Sequence, residues 1–151
     1  MRLITFLLLI FINFSFAKTI PYFKLVDENK KIVERNNLKG KPSILIFWSI
    51  NCMSCKKELP VFNRYFKKYQ NKINFFAIVI DSNDINEVKA IKKCWKFNIP
   101  VLLDGKKIMY KYNIFGVPIS YFVDKNLKVK KILIGRASKE KIKKEIENLL
   151  K

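Results

Sequence analysis

The chain has 151 residues, half of them hydrophobic and 14% aromatic, which suits one compact core and excludes a disordered protein. It carries 31 Lys and Arg against 12 Asp and Glu, for a formal net charge of +19, and it has no histidine. That removes the commonest metal ligand and the commonest general base, and with 3 cysteines a four-ligand zinc site of the usual type cannot be built.

The chain opens with MRLITFLLLIFINFSFA. Arg2 supplies a positive start, Leu3 to Ile12 an apolar run, and Ser15 and Ala17 a small-x-small cleavage pattern. The run is short for a membrane span of about 20 residues. Residues 1–17 are therefore expected to be an export signal, with an uncleaved membrane anchor as the alternative, and residues 18–151 one domain.

TIPYFKLVD and KKIVERNN read as an N-terminal strand or hairpin around a polar turn at DENK. SILIFW, Ser43 to Trp48, is a nearly continuous apolar run expected to be a central strand buried on both faces. In CKKELPVFNRYFKKYQ, Leu59, Phe62, Phe66 and Tyr69 recur at helical spacing, with Pro60 expected to kink the helix. INFFAIVID is a second buried strand, and DINEVKAIKKCWKFN a helix with Asp84 as its N-cap. IPVLLD reads as a short strand, GKKIMYKYNI as a short helix, and PISYFVD and KVKKILIG as the last two strands. SKEKIKKEIENLLK is a final helix capped by Ser138, with Lys141 standing where a full capping box needs Glu or Gln. The plan is α/β: a mixed sheet with helices on both faces.

The basic charge alone would admit nucleic acid or an anionic membrane. The composition explains it better: 27 Lys, 21 Ile and 14 Asn stand against 4 Arg, the profile of AT-rich codons. The lysines are scattered, and no basic-aromatic pattern of RNA binding occurs, so no nucleic-acid partner is expected.

Cys52 and Cys55 form a CxxC pair a few residues past the SILIFW strand, at the start of the next helix. Such a pair can hold a metal, staple a loop or exchange electrons. A bridge closing so small a loop removes little chain entropy and makes a poor staple. Free amides at the helix start, the helix dipole, Lys56 and Lys57 all favour a thiolate at Cys52. Cys55, one turn further on, is expected to be more buried and to act as the resolving thiol. GVPIS supplies a second element: a cis Val117–Pro118 bond opposite Cys52 would leave the Val117 backbone free to pair with an extended substrate. Cys94 is left over and is expected to be a buried, inert thiol.

Together, FWSINCMSCKKELP and GVPISYFVD resemble the thioredoxin superfamily, and over Tyr22 to Lys151 the chain is similar to its exported TlpA/ResA-like branch. LKGKPSILIFW resembles that branch's lead-in, and DSNDINEVKAIKKCWKFNIPVLLDGKKIMYKYNIFGVP its central helix-strand insert. The resemblance implies a thioredoxin-like fold with an N-terminal hairpin extension. It implies a monomeric, cofactor-free and metal-free protein-disulfide reductase outside the cytoplasm, reduced by a membrane thiol protein and serving cytochrome c maturation or another exported thiol protein. Ile46 stands where thioredoxins carry a buried aspartate, whereas Glu58 matches a glutamate common in the exported reductases and is implied to exchange the Cys55 proton. Trp48, Val117 and Pro118 are implied to face the substrate, with plain core packing as the alternative for Trp48. A disulfide-donating oxidase or isomerase is the nearest alternative, because the same pair runs both ways. A copper metallochaperone is more remote, and a peroxidase lacks its framing proline and threonine in LIFWSINC.

Overall fold

The computed structural model describes residues 18–151; the leader read at 1–17 lies outside them. The centre is β3 (Ser43–Trp48), with all six residues buried. It pairs in parallel with β4 (Asn74–Val79), Ser43 opposite Asn74 and Trp48 opposite Val79. On its other side it pairs antiparallel with β6 (Ile119–Val123), Phe47 opposite Ile119. Adding β5 (Val101–Leu102) and β7 (Val129–Ile134) gives a mixed five-stranded sheet in the order β5-β4-β3-β6-β7.

Strand side chains alternate between two cores. Ile44, Ile46 and Trp48 of β3 join Phe75, Ala77 and Val79 of β4 in one, whereas Leu45 and Phe47 join Ile78 and Tyr121 in the other. The first core receives α1 (Met53–Tyr69) through Leu59 and Phe62, α2 (Ile85–Trp95) through Val88, and α3 (Lys139–Leu149) through Ile142 and Ile146. All three α-helices thus cover one face. Helices were expected on both, but the second face is covered by an N-terminal hairpin and by the stretch around Ile108, Tyr112 and Ile114. Only 3-10 turns, Arg35–Leu38 and Gly105–Lys107, stand on that side among the described residues. The expected GKKIMYKYNI helix shrinks to the second of these. There Gly105 packs so tightly that a Cβ would run into the Val79 carbonyl oxygen.

The caps follow the sequence. Asp84 accepts from the amides of Asn86 (2.8 Å) and Glu87 (3.3 Å), and Ser138 accepts from Lys141 (3.2 Å). The α1 helix runs without interruption through Pro60. The hairpin of β1 (Lys24–Val26) and β2 (Ile32–Glu34) turns at DENK, but this polar turn is not simply solvated. Asp27 and Glu28 are both buried where the turn meets β5: the Leu103 amide donates to Val26 O at 2.8 Å, and Glu28 pairs with Lys92 of α2 and accepts from the Val101 amide.

This topology fixes one end of the sheet as the meeting point. β3 and β4 run the same way, so their C-terminal ends coincide; β6 runs the opposite way, so its N-terminal end joins them. The loop after Trp48, Asp81 after β4, and Pro118 before β6 therefore converge.

Candidate active site

Cys52 is the N-cap of α1. The Cys55 amide, one of the helix's otherwise unsatisfied donors, points at Cys52 Sγ from 3.1 Å. The two sulfurs are joined as a disulfide, with Cα atoms 5.2 Å apart. Cys52 is partly exposed and Cys55 fully buried, the asymmetry expected of an attacking and a resolving sulfur. The Val117–Pro118 peptide is cis. It brings the Val117 carbonyl oxygen to 3.7 Å from Cys52 Sγ, an acceptor for the thiol proton once the pair is reduced. Among the described residues, neither the amide nor the carbonyl of Val117 has a backbone hydrogen-bond partner. Val117 and Pro118 thus stand where the sequence places them.

The loop before Cys52 is held by a residue the sequence reading missed. Asp81, just past β4, accepts from the Ser49 hydroxyl at 2.6 Å and from the Ile50 amide at 3.0 Å. Ser49 Oγ in turn accepts from Asn51 N at 3.1 Å, and the Cys52 amide donates to Ser49 O at 3.2 Å. The available signal was an aspartate ending a strand parallel to the one that delivers the cysteines.

Glu58 is 2% exposed, not a solvated helix carboxylate. It lies three residues after Cys55, on the same face of α1. Its Oε1 accepts from the Ala137 amide at 2.8 Å, while Oε2 is buried without a partner among the described residues. Burial pushes its pKa up to about 7; the Ala137 hydrogen bond and the Arg136 charge pull against that shift without cancelling it. A cleft of about 400 Å³, lined in part by Lys57, Arg136 and Ser138, connects it to solvent.

Two expectations are corrected. Trp48 is fully buried, edge-on to Trp95 and Phe97 with centroids 5.4 and 5.6 Å away, so it has no surface to offer a substrate. It belongs to the core beneath the site, and its Nε1 has no hydrogen-bond partner among the described residues. Cys94 is exposed, not buried. On α2 the inward positions are Ile85, Val88, Ile91 and Trp95, and at 3.6 residues per turn Cys94 points well away from that stripe.

Comparison with known proteins fits this geometry. Residues 16–132 match the family described as AhpC/TSA. The chain is 35% identical over 128 residues to the thiol-disulfide oxidoreductase ResA of Bacillus cereus, covering 83% of this chain and 73% of that one. It is 30% identical over 141 residues to ResA of Bacillus subtilis, covering 92% and 78%. Among solved structures, a thioredoxin-family thiol:disulfide interchange protein from Chlorobium tepidum superposes with a TM-score of 0.78 at 23% identity, over 89% of this chain and 97% of that one. StoA of Bacillus subtilis superposes with a TM-score of 0.70 at 25% identity, over 86% and 98%.

Proposed function

The chain belongs to the AhpC/TSA family, and on that premise we propose that it is a thiol-disulfide oxidoreductase that reduces protein disulfides outside the cytoplasm through Cys52 and Cys55. The observation that carries this reading is the position of Cys52: capping α1, bonded to a buried Cys55, and 3.7 Å from the carbonyl before a cis proline. The names of the ResA relatives, thiol-disulfide oxidoreductases, support the same activity.

In the reduced protein the Cys52 thiolate attacks one sulfur of a substrate disulfide. That S–S bond breaks, a mixed disulfide forms, and the other substrate sulfur leaves as a thiolate and takes up a proton. Cys55 passes its proton to Glu58 and attacks Cys52 Sγ, which frees the second substrate thiol. Two electrons have moved to the substrate, and Cys52–Cys55 is left as the disulfide seen here. A carboxyl with a pKa of about 7 suits this exchange near neutral pH. A membrane thiol protein then restores the dithiol. The leader-like residues 1–17 support export, and apocytochrome c or another exported thiol protein is the candidate substrate. No helix among the described residues is long and apolar enough to cross a membrane, so attachment to one would rest on that leader.

The reduction potential of the Cys52–Cys55 couple tests the direction of electron flow. A value well below about −120 mV, with catalysed reduction of a protein disulfide, is the expected result. A value near that oxidising limit would assign the chain to disulfide donation instead.

A further inference from the structure

The lysines are scattered along the chain, but the fold gathers a group of them at the end of the sheet far from Cys52. Strands β3, β4 and β7 run the same way, so the helices that follow them, α1, α2 and α3, all start at the redox end and run away from it. The 17 residues of α1 carry the chain about 25 Å from Cys52. There the Lys41 ammonium donates to the carbonyl of Gln70, the C-cap of α1, at 2.7 Å. Other segments meet beside it. The Gly40 amide donates to Lys125 O at 2.9 Å, the Val129 amide donates to Lys18 O at 2.9 Å, and Thr19 is bridged to Lys128. Lys18, Lys39, Lys125, Lys128 and Lys130 are exposed, and none of them forms a salt bridge among the described residues.

The carboxylates are placed differently. Asp81 and Asp84 follow the C-terminal end of β4, Asp104 is bonded to Asn83 in the same region, and Glu140 lies in the first turn of α3, so all four stand at the redox end. Near the lysines, Asp124 accepts from the amides of its own turn, Asn126 at 2.8 Å and Lys128 at 2.9 Å, and Glu147 lies 3.7 Å from Lys143. Helix N-termini favour carboxylates and C-termini favour ammonium groups, which accounts for the separation. A lysine-rich composition raises the charge everywhere; it does not sort the two signs to opposite ends.

Charge complementarity and chain continuity identify the occupant. The apolar run Leu3–Ile12 leads into Lys18, which lies within the basic end. An anionic surface met where an apolar leader joins the domain is that of a bilayer. We infer that Lys18, Lys39, Lys125, Lys128 and Lys130 seat the domain on anionic phospholipid headgroups, with Cys52 directed away from them. The inference rests on the export reading of residues 1–17 and adds an orientation to it. The contact is electrostatic and screened within about 8 Å, so it is reversible and leaves Cys52 free to turn to the membrane thiol protein that reduces it.

The test mixes the full chain with vesicles of phosphatidylcholine, or of phosphatidylcholine with phosphatidylglycerol, and footprints the lysines by acetylation and mass spectrometry. The neutral vesicles account for any insertion of the leader. Lys39, Lys125 and Lys128 should be acetylated about threefold more slowly on the anionic vesicles than on the neutral ones, and Lys106 and Lys139, beside Asp81 and Glu58 at the redox end, should be unaffected. K125Q/K128Q should lose about twentyfold of the added affinity for anionic vesicles, whereas K106Q/K139Q, with the same loss of charge, should keep it. High salt should erase the difference between the two vesicles. Equal protection of both ends, or equal losses in the two variants, would overturn the inference, because net charge alone would then drive binding. So would identical footprints on the two vesicles, or protection of these lysines by duplex DNA or an acidic peptide where vesicles give none. Cell fractionation reads export separately: a chain retained in the cytoplasm would remove that reading and leave the vesicle footprint standing.

Discussion

Glu58 Oε1 accepts a 2.8 Å hydrogen bond from the amide of Ala137, 79 residues along the chain, while Oε2 lies buried with no partner among the described residues. The bond ties the first turns of α1 to the loop before α3, one helical turn on from the resolving Cys55.

A carboxyl pushed up to about 7 by burial makes stability depend on pH with a definite sign. Between the ordinary value of 4.5 and 7, the folded state holds a proton that the unfolded state has lost. Stability therefore falls as pH rises through that window and levels off above it, by about 3 kcal/mol from this group. E58Q should abolish that component, so the difference between variant and wild type in denaturant unfolding should grow from pH 4.5 to 7 and then hold constant. The same variant should also lose the dependence of resolving rate on pH near 7. Wild-type rates in E58Q from mildly acidic to alkaline pH would end the proton-transfer role.

Removing the buried sulfur should trap the reaction halfway. C55A is expected to accumulate mixed disulfides between Cys52 and its substrates, detected as reducible adducts by mass spectrometry, whereas C52A should accumulate none. An absence of adducts in C55A would contradict the order of attack.

Asp81 clamps the loop that presents Cys52, through Ser49 and Ile50. D81A should lose both bonds and cost about 1 kcal/mol in unfolding, with D81N, which keeps an acceptor, recovering part of it. Alkylation of reduced Cys52 should change in D81A as well, which a bond important only for stability would not produce.

Cys94 stands in the open. A maleimide added to the native, oxidised protein should therefore label one thiol rapidly, and C94S should take up none. Slow labelling would restore the buried thiol that the sequence suggests.

Lys92 neutralises Glu28 at the edge of β5, where both side chains are largely buried. K92A leaves that carboxylate without its cation and should destabilise the fold by about 3 kcal/mol, measured by urea unfolding. E28Q/K92M removes both charges and should be markedly less damaging than K92A alone.

The sequence by itself determined the elements whose causes are local. An unbroken apolar run made β3, helical periodicity made α1, and Asp84 and Ser138 capped helices within three residues of themselves. Two sulfurs three residues apart at a helix start were legible for the same reason. Tertiary structure decided what each side chain faces, because facing depends on elements far away in the chain. The Trp48 ring is enclosed by Trp95 and Phe97, Glu58 is held by Ala137, and Asp81 reaches the cysteine loop only because β3 and β4 run parallel. Composition could place hydrophobic residues inside in general. It could not show that Cys94 points outward, or that Phe115 and Ile134 remain uncovered beside Val117, because periodicity describes a face without saying what packs against it.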